Sequence, residues 1–341
     1  MKTEKFGFGI VGTGMIAGVV AEAIGKAKKA RLAAVSSRKL ENAKGFAEKY
    51  PGAAAVEGID ALLTRSDVDA VYVATPTVAK EAIALAAIAA GKHVLVDKPF
   101  DGHASAMRMT KAAAEKGLVF MDATHLVHNE RTAAIQKAIG EQIGAPRSLY
   151  TAFYFPFDDY HNIRFDPKQE PTGALGDMAW YSMRAVVEYL RPKGKVSHAL
   201  AVPERHAITK AVVRVSGLIS FDSGEVSTFD VGWTAGTIVQ DLLLLGTKGV
   251  ISLDDFVLDW TKGFAFRRAE IPPGYVHRTG MATRADVTFV GAPTEIPQEV
   301  AMIEDFADLA RGGSAAERAA YVEASLKTQE YLDALWKGMR G

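Results

Sequence analysis

The run Gly12-Thr13-Gly14-Met15-Ile16-Ala17 follows a short apolar stretch and opens a segment of helical periodicity. That spacing of small residues suits a pyrophosphate. Gly12 permits a tight turn, Gly14 lets the backbone come close to phosphate oxygens, and Ala17 lets helix and strand pack together. The phosphates would rest on the free N–H groups of Thr13, Gly14, Met15 and Ile16, at the positive end of the helix. Where the second strand should end stand Ser36-Ser37-Arg38-Lys39, with no acid before Glu41. A carboxylate at that point would accept from the ribose hydroxyls of NAD. Two hydroxyls and two cations instead suit a 2′-phosphate, which Arg38 can meet with a planar, charge-assisted contact. The competing reading of Arg38 and Lys39 is a solvated helix start. NADP is therefore the expected cofactor, with NAD as the alternative. The apolar run His93-Val94-Leu95-Val96 leads into Asp97-Lys98-Pro99 and so puts an ammonium at the carboxyl edge of a parallel sheet, where ligands bind in such folds. The plainer reading pairs Lys98 with Asp97 or Asp101 at the surface.

These groups need a frame, and the periodicity supplies one. Strand-like runs at 6–11, 31–36, 70–74, 93–96 and 118–121 alternate with helical segments at 15–26, 40–50, 78–90 and 104–116. This alternation predicts a parallel sheet wrapped by helices. From 123 onward the texture changes to a helix near 129–139, strands near 148–157, 211–221, 225–233 and 239–246, and a helical tail over 297–339. The expected fold class is α/β: an N-terminal Rossmann domain with a parallel sheet over residues 1–122, and a C-terminal α+β domain over 123–341. The second domain should carry a large, mostly antiparallel open sheet, serving substrate binding and oligomerisation. Forty Lys plus Arg balance forty Asp plus Glu, 48% of residues are hydrophobic, and there is no cysteine. Neutrality argues against nucleic acid or an anionic membrane as partner. The missing cysteines exclude disulfides and thiolate chemistry. No signal-peptide pattern opens the sequence and no apolar run is long enough to span a bilayer, so a cytoplasmic location is expected.

The order of motifs resembles the Gfo/Idh/MocA oxidoreductase family: the glycine fingerprint, Ala74-Thr75-Pro76, Gly91-Lys92-His93-Val94, and Lys98-Pro99. Asp97 stands where the family has Glu, and Thr77 and Lys80 where it commonly has Asn and His. Further on, Gly173-Ala174-Leu175-Gly176-Asp177-Met178-Ala179-Trp180-Tyr181 is similar to the family's glycine-rich segment followed by Asp and, four residues later, His or Tyr. With Tyr181 there and Asn162-Ile163-Arg164 upstream, it most resembles the NADP-dependent xylose dehydrogenase and dimeric dihydrodiol dehydrogenase branch. The resemblance implies that Thr75, Pro76, Asp97 and Lys98 also touch the cofactor, and that a histidine after the last Rossmann strand faces substrate. His128 fits that place, which sets aside a metal reading of His125 and His128; no metal is expected.

Oxidation of an alcohol needs a group that takes the hydroxyl proton while hydride leaves for nicotinamide. Lys98, Asp177 and Tyr181 are the candidate catalytic residues. Tyr181 is assigned as proton acceptor and donor, Lys98 as its electrostatic partner and Asp177 as a binder of substrate hydroxyls, with the roles of Lys98 and Tyr181 exchangeable. Asp177 and Tyr181, four apart, would share one face of a helix; the plain alternative for Asp177 is a helix cap. His128, His161, Arg164 and Trp180 are the expected substrate contacts. The substrate is expected to be a sugar, polyol or related diol, with a keto-sugar-nucleotide or dihydrodiol reductase as variants. A dinucleotide-binding regulator without turnover is the reading from a different class. A homodimer or homotetramer is expected.

Overall fold

The computed structural model describes residues 5–283 and 285–339, which divide into two compact units. In the first, six strands lie in the order β3-β2-β1-β4-β5-β6, all parallel. They are β1 (Phe6–Val11), β2 (Ala30–Ser37), β3 (Ala54–Glu57), β4 (Ala70–Val73), β5 (His93–Val96) and β6 (Phe120–Asp122). The helices between them are α1 (Met15–Lys26), α2 (Leu40–Ala47), α3 (Gly58–Leu63), α4 (Thr77–Ala89) and α5 (His103–Glu115). Every residue of β1, β4 and β6 is buried. A parallel sheet covered on both faces produces such continuous apolar runs. The strand order reverses between β1 and β4, the switch point where such sheets bind ligands. Gly12 turns there with φ 115°, and a Cβ on it would sit 2.4 Å from the Ala74 carbonyl oxygen, so only glycine fits.

The second unit begins with α6 (Glu130–Ala138), β7 (Pro146–Tyr154), α7 (Ala174–Asp177) and α8 (Ala179–Ala185). A run of strands follows: β8 (Val196–Arg205), β9 (Val212–Phe221), β10 (Val226–Gly232), β11 (Val239–Gly246), β12 (Gly249–Leu253), β13 (Gly274–Thr279) and β14 (Thr288–Gly291). The eight strands are ordered β14-β13-β12-β11-β7-β10-β9-β8, with β7 and β10 parallel and the other pairs antiparallel. Helices α7 and α8 pack on β7, β10 and β9. Alternation then leaves Tyr150, Leu243 and Leu245 exposed, and Leu200 and Val202 toward the β8 edge. Two helices close the chain, α9 (Gln298–Gly312) and α10 (Ala315–Gly338). Residues 299–326 belong to the first unit, together with residues 1–128, and the rest of α10 belongs to the second. The compact units thus differ from a cut at 122/123, because the chain returns to the first unit late.

A buried ion pair braces the second unit. The Arg131 guanidinium bonds the Asp255 carboxylate at 2.6 Å and the Asp255 carbonyl at 2.9 Å. Burial pushes the Asp255 carboxyl up in spite of that cation.

Candidate active site

In the first unit the glycine loop forms as its spacing demands. Gly14 caps α1 with no side-chain hydrogen bond, and nothing lies within 4 Å of where its Cβ would be. The first-turn N–H groups of α1 thus have open space beside them for an anion. Thr13 and Ile16 are half-buried and Met15 is exposed. Across the switch point the Thr75 hydroxyl oxygen is buried without a hydrogen-bond partner, next to half-buried Pro76. An orphaned hydroxyl costs free energy unless a ligand meets it. Arg38 is exposed just past β2 and Ser37 is half-buried. These features fit a dinucleotide: the loop for its pyrophosphate, Thr75 for a polar edge, Arg38 for a charged ribose substituent.

Ser36 precedes Ser37 at the end of β2. It is buried and its hydroxyl donates to the Gly58 carbonyl at 2.7 Å, tying β2 to the start of α3. Ala33, Ala34, Val35 and Ser36 are buried in succession, as in a strand covered on both faces.

Lys98 follows β5 and is half-buried, with Asp97 before it. The Asp97 N–H donates to the Val73 carbonyl at 3.0 Å, which extends the ladder to the residue before Lys98. His125 is buried nearby in charge terms: burial pushes its imidazole down to about 3, with the Lys98 cation and then His128 adding to the effect. It is a neutral ring at physiological pH. The His128 Nδ1 lies 2.7 Å from an Asp305 carboxylate oxygen, its ring stacks on Tyr321 at 5.8 Å, and its Nε2 is buried without a partner. Asp122 accepts from Thr124 and from Ser325 of α10, so its carboxylate is structural. Among the described residues no cluster of three or more metal-ligating side chains occurs.

In the second unit Gly173 begins the other half of the motif with φ 51°, and a Cβ there would lie 2.4 Å from the Val212 carbonyl oxygen. The helix does not run through from Asp177 to Tyr181. It breaks at Met178 (φ −102°), so α7 ends on Asp177 and α8 carries Tyr181. Asp177 is bonded by the Arg164 Nε at 2.8 Å, and the Arg164 guanidinium lies over the Phe157 ring at 5.4 Å. Asp177 and Arg164 thus form one ion pair. Tyr181 is buried, edge-on to Phe153 of β7 at 5.5 Å. Trp180 has no exposed surface, on a helix whose residues are all buried. His161 is exposed on the segment before Arg164, where Tyr160 stacks on His206 at 4.7 Å and Phe165 packs on Trp233 at 5.5 Å.

Comparison with known proteins agrees with this architecture. The GFO_IDH_MocA model, "Oxidoreductase family, NAD-binding Rossmann fold", matches residues 6–124, and the GFO/IDH/MocA C-terminal domain model matches residues 132–252. The chain belongs to the Gfo/Idh/MocA family of oxidoreductases. It is 34% identical over 229 residues to a dTDP-3,4-didehydro-2,6-dideoxy-alpha-D-glucose 3-reductase of Streptomyces violaceoruber, over 65% of this chain and 64% of that protein. It is 28% identical to D-xylose 1-dehydrogenase (NADP(+)) 2 of Haloferax volcanii, over 68% of this chain and 72% of that one. The matched stretch therefore spans under two thirds of the Streptomyces relative. A solved 3-ketoreductase from Actinomadura kijaniata, in complex with NADP and TDP-benzene, superposes with a TM-score of 0.86 at 26% identity, covering 98% of each chain. Variants of that enzyme with one tyrosine changed to phenylalanine, or one lysine changed to alanine, were solved in the same complex.

Proposed function

We propose that this chain is an NADP(H)-dependent reductase that transfers hydride between nicotinamide and a hydroxyl or carbonyl carbon of a sugar. The preferred substrate in this reading is a nucleotide-linked keto-sugar. Arg38 carries the cofactor half: an exposed cation stands past β2 where an NAD site would place an acid. The 34% identity to a dTDP-keto-sugar reductase supports the substrate half, over the free-aldose reading that the xylose dehydrogenase supports at 28%.

The glycine loop holds the pyrophosphate, Thr75 and Pro76 line its path, and Asp97 and Lys98 stand at the sheet edge beyond. The bound dinucleotide supplies the hydride. Tyr181 gives its phenolic proton to the oxygen of the reduced carbonyl and takes it back in the reverse direction. Lys98 stabilises the oxyanion that forms before the proton arrives. Asp177, fixed by Arg164, accepts from a sugar hydroxyl, and Arg164 stands beside it as a cation for an anionic or hydroxylated group. His128 and His161 are the further substrate contacts in this reading.

The test is consumption of NADPH and of NADH with a panel of dTDP-linked keto-sugars, free aldoses, inositols and diols. Turnover with a nucleotide-linked keto-sugar and NADPH, at least about tenfold above any free sugar, is the expected result; a tenfold ratio is about 1.4 kcal/mol of selectivity. Cofactor binding without turnover of any of them would favour a regulator instead.

A further inference from the structure

Helix α4 buries Thr77, Lys80, Ala84, Ala87 and Ile88, the stripe spaced for the core. Four of the five suit that stripe, and Lys80 does not. It is 2% exposed, and its ammonium lies 2.9 Å from the carbonyl oxygen of Lys98, 2.9 Å from that of Pro99 and 3.5 Å from the Thr77 hydroxyl. Those are as many oxygens as the ammonium has protons to donate. Burying a cation costs several kcal/mol, and an apolar residue of similar volume at such a place is often neutral or stabilising. A break of the local rule with such geometry points to a task other than packing.

The task is visible in what is held. The main chain before Lys98 is fixed by the Asp97 N–H on the Val73 carbonyl. After it, Phe100 is buried against Phe120 at 5.6 Å. Between these two anchors strand pairing has ended, and Lys80 grips both intervening carbonyls. We infer that Lys80 is a positioning residue, which fixes the main chain of Lys98 and Pro99 so that Lys98 is presented at the carboxyl edge of β5. This rests on the assignment of Lys98 to the reaction. A shift of a reacting group by about 1 Å can cost on the order of a hundredfold in rate, so a clamp on the backbone is worth a buried charge.

The experiment compares Lys80→Met, Lys80→Arg and Lys98→Ala, and the double variant Lys80→Met with Lys98→Ala, in the full chain. Lys80→Met should lower kcat by about tenfold or more while the Kd for NADPH stays within about twofold, and Lys80→Arg should recover part of the loss. In the Lys98→Ala background Lys80→Met should cost less than about threefold, since a residue that acts through another adds nothing once that other is gone. If Lys80→Met does not fold, Lys80→Gln, which keeps a donor, is read in its place. Parental kcat in Lys80→Met with an inactive Lys98→Ala overturns the inference alone. Losses that multiply in the double variant overturn it as well, since they mark a structural role. An active Lys98→Ala overturns the assignment of Lys98 and the inference with it.

Discussion

Arg38 and His125 are single side chains whose consequences can be read separately. Arg38 stands exposed past β2 with no acid beside it until Glu41, so its charge is available to a 2′-phosphate and irrelevant to a ribose hydroxyl. Arg38→Ala should weaken NADPH by about tenfold to a hundredfold, the scale of a charge-assisted hydrogen bond, and leave NADH within about twofold. Fluorescence titration of the two cofactors decides it, and an equal loss for both would sink the assignment. His125 bears on pH. Burial holds its folded value near 3, whereas the unfolded ring titrates at about 6.5. Between those values the unfolded chain binds the extra proton, so stability is fully present above about pH 6.5 and falls as the pH drops toward 3. The slope approaches 1.4 kcal/mol per pH unit, about one proton's worth. His125→Asn should flatten the acid limb of urea stability, leaving a smaller slope from His93, which burial also lowers. Parallel acid limbs in parent and variant would contradict this.

Elements, more than residues, decide which parts of this molecule can be read from sequence. Strands β1 and β5 and helix α1 coincide with their expected bounds: the strands are strongly apolar runs followed by Gly12 and by Asp97-Lys98-Pro99, and the helix is a long run that starts from the glycine loop. Strand β3 escapes notice, since its four residues are half-buried or exposed at the sheet edge. Strands β8, β13 and β14 escape for the same reason: they are edge or near-edge strands with few buried residues, and β8 contains Pro203. The glycine loop was legible from spacing and its turn is there. The bond from the Ser36 hydroxyl to the Gly58 carbonyl was not, because spacing carries no sign of a contact 22 residues away. Lys80 carried a sequence cue, a charge on an apolar helix stripe, that only its bonds to the Lys98 and Pro99 carbonyls explain. One element-scale consequence concerns α6. Arg131→Met removes the cation from buried Asp255 and leaves a carboxylate in the core of the second unit. The loss should be about 3 to 5 kcal/mol, seen as a lower urea midpoint for that unit. A change under about 1 kcal/mol would mean that Asp255 is neutral or otherwise satisfied.

At the scale of the whole molecule, the second sheet has a face on which Tyr150, Leu243 and Leu245 lie exposed on adjacent strands, Tyr150 opposite Leu243. Contiguous apolar surface of that kind favours association, and a homodimer or homotetramer through this face is the expectation. Leu243→Asp should shift sedimentation toward the monomer while NADPH binding persists; a parent that is already monomeric at micromolar concentration would refute it. No helix among the described residues is long and apolar enough to cross a membrane. The account as a whole depends on the proposed roles of Tyr181 and Lys98 in moving a proton. The direct measurement is single-turnover hydride transfer from bound NADPH to a dTDP-linked keto-sugar, in the parent, Tyr181→Phe, Lys98→Ala and the double variant. Each single change should slow transfer by about 10² to 10⁴, a far larger effect than any on NADPH affinity, and the double change should cost far less than the product. Near-parental transfer in Tyr181→Phe would contradict the account.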